Sequence, residues 1–202
     1  MPNDAVVHVV DDDLGVRQSL SFLLATDGLP VRLHESASAF LENVRNAASG
    51  CIITDVRMPG LDGIEFLRRL KQCGFLLPVV VMTGHADVPL AVEAMKEGAV
   101  DFLEKPFDDE LLLKTVRIAL ERSARVALHD AEAAEVQARI QSLSGRERQV
   151  LDGLLAGKAN KVIAHDLDIS ARTVEIYRSN VMSKMQARSL PELVSFVLAA
   201  GR

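Results

Sequence analysis

Four short apolar runs of the sequence each end in side chains that could carry chemistry. Asp11 and Asp12 follow the first run, and Asp55 ends the run CIITD. Thr83 follows a third run and Lys105 a fourth. Carboxylates, a hydroxyl and an ammonium group could together bind Mg²⁺ and a phosphoryl group, with one carboxylate acting as the nucleophile. The residue types therefore suggest phosphoryl transfer, provided that the fold brings them together.

The elements that must position these residues alternate between β-branched runs and helical patterns up to about residue 123. The predicted strands are Val6–Val10, Val31–His34, Ile52–Thr54, Val79–Met82 and Asp101–Leu103. Because the runs are continuously apolar, they predict a five-stranded parallel sheet covered on both faces, in a flavodoxin-like (βα)5 fold. Ligands of such sheets bind at the carboxyl ends of the strands, so the four groups should meet at one edge.

Simpler structural explanations exist for the same residues. An Asp after a strand is often the N-cap of the next helix, which is what we predict for Asp13. Lys105, which precedes Pro106, could lie in a surface loop. The joint occurrence of the right groups after four strands favours a binding site. The two cysteines and five histidines form no zinc pattern, and hard oxygen ligands favour Mg²⁺.

The C-terminal third of the sequence predicts a separate helical domain. Residues 107–144 contain neither Pro nor Gly, which predicts a long helix that leaves the first domain and continues as a linker. Four short helices follow, the first opened by a capping box of Ser144 and Glu147. The other predicted N-caps are Asn160, Ser170 and Ser189. The predicted domains are residues 1–123 and 143–202, joined by a helical linker over residues 124–142.

Charge also separates the two domains. Residues 1–125 carry 13 Lys and Arg against 19 Asp and Glu, whereas residues 143–202 carry 9 against 6. This distribution predicts different partners for the two parts. No apolar run approaches the roughly 18 residues of a membrane helix, and residues 1–13 lack the basic region of a signal peptide. We therefore expect a cytoplasmic protein with no membrane partner.

The third helix of the C-terminal domain carries the candidate nucleic-acid contacts. At about 100° per residue, Val174, Val181 and Met185 form its core face, and Ile176 lies on the opposite, polar face. A branched apolar residue in that position suits a thymine methyl group in the major groove. The candidate DNA contacts on this helix are Arg172, Thr173, Glu175, Ile176 and Ser179, and the candidate phosphate contacts are Asn160, Lys161, Arg178 and Lys184. The alternative is an output domain of helices that binds a protein.

Several motifs resemble known families. VVDDD, TDVRMPGLDG, VVMTGHAD and VDFLEKPF resemble the receiver domains of two-component response regulators across about 120 residues. The sequence from LSGRERQVL to SNVMSKM resembles the helix-turn-helix of the LuxR type. Their pairing is similar to the response regulators of nitrogen-fixation control in rhizobia, for which the signal is low oxygen.

The resemblance to receiver domains implies a role for each residue of the acidic site. Asp55 would be phosphorylated by a sensor histidine kinase. Asp12 would bind Mg²⁺ directly and Asp11 through water, with Asp55 and the main-chain carbonyl of Arg57 as further ligands. Hydrolases that form an aspartyl phosphate need a second Asp two residues after the nucleophile, where this sequence has Arg57. We therefore expect a regulator rather than a turnover enzyme.

The same resemblance implies how the phosphorylated state would act. Thr83 and Phe102 would be the switch residues, and Lys105 would pair with the phosphoryl group from beside a cis bond to Pro106. The receiver would then dimerise through a face built from the fourth helix, with Val92 and Lys96 exposed, and the fifth strand. The dimer would bind promoter DNA and activate transcription by RNA polymerase.

Overall fold

The computed structural model describes residues 5–42, 49–84 and 88–201, and it divides into two compact units between Ala127 and Leu128. The division lies within the predicted linker, residues 124–142. The last three residues of the motif VVMTGHAD, residues 85–87, lie outside the described residues. Each unit has its own hydrophobic core.

The N-terminal unit contains a parallel sheet of five strands in the order β2-β1-β3-β4-β5. The strands are β1 (Val6–Val10), β2 (Val31–His34), β3 (Gly50–Asp55), β4 (Val79–Thr83) and β5 (Asp101–Glu104). The helices between them are α1 (Leu14–Thr26), α2 (Ala37–Glu42), α3 (Gly63–Gln72) and α4 (Val88–Glu97). The predicted fold class is confirmed, and every predicted strand is present to within two residues at either end.

Both faces of the sheet are covered because the central strands are apolar on both sides. Every residue of β3 and β4 is buried. One core packs strand residues against α2, α3 and α4, with Phe40 and Phe66 among its largest side chains. The other packs strand residues against α1 and the long helix that follows β5, through Leu24, Leu112 and Val116. This two-sided burial fixes the carboxyl ends of the strands, where the candidate site lies.

The long helix α5 (Asp109–Gln141) is one continuous helix of 33 residues. Its first half belongs to the N-terminal unit, and near its end Val136 and Ile140 pack against the core of the second unit. The second unit continues with α6 (Gly145–Leu155), α7 (Asn160–Leu167), α8 (Ala171–Lys184) and α9 (Leu190–Ala200). Among the described residues, no helix has the length and apolarity needed to span a membrane.

In the C-terminal unit, the helix starts confirm three predicted caps and correct one. Ser144 and Glu147 form the capping box of α6, and Ser170 and Ser189 cap α8 and α9 through their side chains. The prediction that Asn160 caps the second helix of this domain was wrong, because Asn160 is the first residue of α7 and the cap is Ala159. The Asn160 side chain instead accepts a hydrogen bond from Arg178 at 3.2 Å.

Candidate functional sites

The acidic site lies at the carboxyl edge of the sheet, around the ammonium group of Lys105. Its Nζ donates to Oδ1 of Asp55 at 2.7 Å and to Oδ2 of Asp11 at 2.9 Å. The other oxygen of Asp55, Oδ2, accepts from the main-chain N–H of Arg57 at 2.7 Å. Asp55 is only 8% exposed and ends a buried strand. Residues far apart in the sequence are thus brought to one point, with the acceptor carboxylate fixed by two donors.

The electrostatics of the site favour a charged Lys105. Burial by itself would lower the pKa of this side chain, but the hydrogen bonds with Asp55 and Asp11 outweigh burial and raise the pKa above its ordinary value. The ammonium group therefore neutralises part of the negative charge that the two carboxylates bring together.

The loop after β1 holds its acidic residues through local hydrogen bonds. Asp13 is the N-cap of α1, as predicted, and accepts from the main-chain N–H groups of Gly15 and Val16. The main-chain N–H of Asp13 donates to Asp11 at 2.9 Å. Arg17 donates to the main-chain carbonyl of Asp11 at 2.6 Å, a contact that the sequence did not reveal. Asp12, between Asp11 and Asp13, is exposed to solvent.

The two predicted switch residues lie on neighbouring strands. Thr83 is buried at the end of β4, and its main-chain carbonyl accepts from the N–H of Lys105 at 2.7 Å. Phe102 in β5 is half-buried and packs against the core shared by α2, α3 and α4. The Lys105–Pro106 bond is cis, as the resemblance implied.

Gly63 is a site residue whose role the sequence did not show. A Cβ atom at this position would lie 2.4 Å from the main-chain oxygen of Asp55 and 2.9 Å from Cα of Val56. Gly63 therefore lets the start of α3 approach the end of β3 closely. The sequence Asp62-Gly63 predicts a turn, but the close approach depends on tertiary packing that local turn chemistry does not reveal.

The donor atoms of this site fit Mg²⁺. All of the candidate ligands are oxygens, and one ammonium group lies within hydrogen-bond distance of both Asp11 and Asp55. Within the described ranges, no group of three or more acidic, His or Cys side chains could hold a metal alone. Mg²⁺ in phosphoryl-transfer sites typically uses one or two carboxylates together with water and phosphate oxygens, so two converging carboxylates are sufficient.

The candidate nucleic-acid interface is the outer face of α8. Val174, Val181 and Met185 are buried, which confirms the predicted core face. Opposite them Ile176 is 57% exposed, and Arg172, Glu175 and Ser179 are also exposed. Thr173 is half-buried and bonds to the cap Ser170. The turn before α8 contains Asp168 in the left-handed conformation, with a φ of 52°.

The four predicted phosphate contacts lie in different surroundings. Lys161 is exposed in the first turn of α7, and Arg178 is bonded to Asn160. Lys184 at the end of α8 donates to Oε2 of Glu147 at 2.7 Å. Glu147 was predicted only as part of a capping box. Its second contact was missed, because 37 residues separate the two side chains.

The predicted dimer face combines α4 with β5, and its predicted exposed residues lie on α4. Ala94 is the buried residue of this helix, whereas Val92 is 46% exposed and Lys96 is also exposed. Val88 and Met95 extend the apolar surface around Val92. The expected exposure of Val92 and Lys96 is therefore confirmed.

Comparison with known families assigns both units. Residues 7–117 match the family model of the response regulator receiver domain, and residues 141–197 match that of the bacterial regulatory proteins of the luxR family. A receiver joined to a LuxR-type helix-turn-helix defines a response regulator that acts on transcription.

Full-length relatives narrow the assignment. The chain is 58% identical to the transcriptional regulatory protein FixJ of Azorhizobium caulinodans, over 100% of this chain and 95% of that protein. It is 53% identical to FixJ of Bradyrhizobium diazoefficiens, over 96% and 95% of the two chains. The structure of the response regulator StyR superposes with a TM-score of 0.84 at 40% identity, over 96% and 98% of the chains. The chain belongs to the FixJ-type response regulators, which are phosphorylation-regulated transcriptional regulators and not turnover enzymes.

Proposed function

We propose that Asp55 is the phosphoryl acceptor, with a sensor histidine kinase as the donor. The observation that carries this proposal is the ammonium group of Lys105, which lies within hydrogen-bond distance of both Asp55 and Asp11. A carboxylate oxygen of Asp55 attacks the phosphorus of the kinase phosphohistidine, the P–N bond breaks, and the kinase imidazole leaves. Lys105 remains to pair with the charge that the phosphoryl group adds. Thr83, at the end of the neighbouring strand, and Phe102 respond as the switch.

Mg²⁺ is the cofactor that we propose for this site. Asp11, Asp12, Asp55 and the main-chain carbonyl of Arg57 would hold the ion, which would neutralise charge on the phosphoryl oxygens. Asp13 and Arg17 keep the loop of Asp11 in place through the contacts described above.

We propose that the phosphorylated receiver dimerises and that α8 then binds promoter DNA. The dimer face contains Val92 and Lys96, with the apolar surface of α4 around them. Ile176 reads base edges together with the exposed polar residues of the same face, and Lys161, Asn160 and Arg178 are the phosphate contacts. Lys184, the fourth predicted contact, also donates to Glu147.

The relatives named FixJ support a finer proposal for the biological role. We propose a cytoplasmic activator that recruits RNA polymerase to nitrogen-fixation genes when oxygen is low. The competing possibility is a helical output domain that binds a protein instead of DNA.

Labelling of the acceptor tests the first step. The full chain is incubated with Mg²⁺ and radiolabelled acetyl phosphate, and acid-labile label is counted. The wild type should be labelled and Asp55→Asn should not. Asp62→Asn is the matched control, because Asn also caps helices and this Asp lies outside the site. Label on Asp55→Asn at the wild-type level would contradict the assignment.

Selection from randomised duplexes, with and without acetyl phosphate, tests the output. The phosphorylated wild type should enrich one motif, whereas Asp55→Asn should enrich none under the same conditions. If the phosphorylated wild type retained no duplex, a protein-binding output would be favoured instead.

A further inference from the structure

Glu147 is a buried carboxylate that contacts two helices at once. It is only 4% exposed, and its Oε2 accepts from the main-chain N–H of Ser144 at 2.7 Å and from Nζ of Lys184 at 2.7 Å. The bond with Lys184, followed by the bond with Ser144, holds the pKa of Glu147 below its ordinary value. A buried carboxylate is costly without such partners, so this side chain depends on both contacts.

The C-terminal end of α8 is held from two sides. Lys184 is the last residue of α8, and its Nζ also lies 3.4 Å from the main-chain oxygen of Ser142. Met185 caps the helix, and its main-chain oxygen accepts from Nη1 of Arg139 in α5 at 3.3 Å. The carbonyl groups at the end of a helix lack partners within the helix. Here the carbonyl of Met185 is bonded by a neighbouring helix. The last turn of α5 and the start of α6 therefore fix this end of α8.

The core face of α8 alone does not provide the same constraint. Val174, Val181 and Met185 keep the helix against the domain, but apolar contacts have little directionality. A short bond between charged groups depends on both distance and angle, so it can set the rotation of the helix about its axis and its position along it. Ile176 lies about two turns away from Lys184. Its base contacts require that the helix be held at one rotation and at one position along its axis.

We infer that Glu147 is a positioning residue for DNA recognition, and that it acts by holding Lys184 and with it the reading helix α8. Lys184 is accordingly a positioning residue rather than a phosphate contact. The inference rests on the proposed DNA binding of α8.

The two roles of Lys184 have different signatures. A phosphate contact contributes to binding of every duplex and releases counterions, so its loss flattens the salt dependence of binding by about one unit. A positioning contact acts on base readout, so its loss weakens binding to the preferred motif and leaves the salt dependence unchanged. The Lys184 side chain is 42% exposed, so its accessibility permits either role.

The experiment uses the full phosphorylated chain and duplexes that the wild type has selected. The variants are Glu147→Gln, Lys184→Met, Lys184→Arg and the pair Glu147→Gln with Lys184→Met. Lys161→Met is the matched control, since it removes an exposed lysine near the start of α7. Affinity is measured for the selected duplex and for a scrambled one, each over a series of salt concentrations.

Glu147→Gln and Lys184→Met should each weaken binding to the selected duplex by about tenfold, as expected for loss of a charged hydrogen bond. Binding to the scrambled duplex and the salt slope should stay at the wild-type level. The double variant should be no weaker than the single ones, because both changes remove the same contact. Lys184→Arg should restore part of the affinity. Lys161→Met should weaken both duplexes alike and flatten the slope.

Three results would overturn the inference. If Lys184→Met flattened the salt slope like Lys161→Met while Glu147→Gln bound normally, Lys184 would be a phosphate contact. If Glu147→Gln lowered the melting temperature but the folded protein bound with wild-type affinity and preference, Glu147 would serve stability alone. If the phosphorylated wild type selected no duplex, the proposed DNA binding would fail, and the inference with it.

Discussion

At the scale of single residues, the charge on Lys105 should control phosphorylation at the proposed acceptor site. Its Nζ bonds to Asp55 and Asp11, so Lys105→Met would leave two carboxylates close together with no cation between them. Acetyl phosphate should then label Asp55 at least about tenfold more slowly, because no ammonium group offsets the charge of the incoming phosphoryl group. Lys114→Met, on the exposed side of α5, is the control and should be labelled normally. Equal labelling rates for the two variants would contradict a role for this ammonium group.

A second residue-scale prediction concerns buried His8 and its half-buried neighbour His34. Nδ1 of His8 lies 3.0 Å from Nε2 of His34, and Nε2 of His8 is buried with no hydrogen-bond partner among the described residues. Burial, followed by repulsion from His34 and Arg32, lowers the pKa of His8 from 6.5 to about 4. Between these values the unfolded chain binds the proton and the folded chain does not. The free energy of unfolding should therefore fall as the pH falls from 6.5 to about 4.

Denaturant unfolding of the full chain at a series of pH values measures this effect. The transition to follow is the unfolding of the N-terminal unit, which contains His8. Uptake of one proton on unfolding lowers the free energy of unfolding by up to about 1.4 kcal/mol for each pH unit of acidification. His8→Leu should reduce the pH dependence by up to this amount. His129→Leu is the control, since this side chain is exposed and should not change the pH dependence. Parallel pH profiles for the wild type and His8→Leu would show that His8 does not contribute.

At the scale of elements, α8 makes a prediction about base readout. Ile176→Ala removes the exposed branched side chain at the centre of the outer face, so it should relax the preference at one base position by about 1–3 kcal/mol. Leu198→Ala in α9 removes another exposed aliphatic side chain and should select the wild-type motif. Sequencing of duplexes selected by the phosphorylated proteins measures the preference. An identical motif at identical enrichment for Ile176→Ala would mean that another face of the domain reads DNA.

The elements also show what local sequence could predict. The strands were predicted closely because continuous apolar runs reflect burial on both faces, and the core face of α8 followed from its period. The cap of α7 was mispredicted because the Asn160 side chain bonds to Arg178, which is 18 residues away. The partner of Lys184 escaped prediction because it depends on how separate segments pack. The partner of Arg17 is a main-chain carbonyl in the adjoining loop, whose position depends on the conformation of that loop. Pairings across the fold leave no periodic signal in the sequence.

At the scale of the whole molecule, phosphorylation should change the association state. Converting a switch from mostly off to mostly on requires several kcal/mol of differential stabilisation, and new charged hydrogen bonds around one phosphoryl group can provide it. Sedimentation should therefore find a monomer without acetyl phosphate and a dimer with it. Val92→Asp should accept label on Asp55 yet remain monomeric, because it introduces a charge into the apolar face of α4. Leu76→Asp, at an exposed position outside that face, should dimerise like the wild type.

A dimer of equal affinity with and without acetyl phosphate would contradict this switch. A normal dimer of Val92→Asp would place the association surface on another element.

The complete burial of β3 and β4 also has a consequence for local unfolding. Amide hydrogens in these strands can exchange with solvent only when the sheet opens, so they should exchange at the rate set by global unfolding of the N-terminal unit. Asp12, in the loop after β1, is exposed, and its amide hydrogen should exchange through small local openings. Asp55 and Thr83 thus each end one of the most slowly exchanging segments of the unit. We therefore expect the sheet to hold the proposed acceptor in place while the exposed edge of the site opens locally.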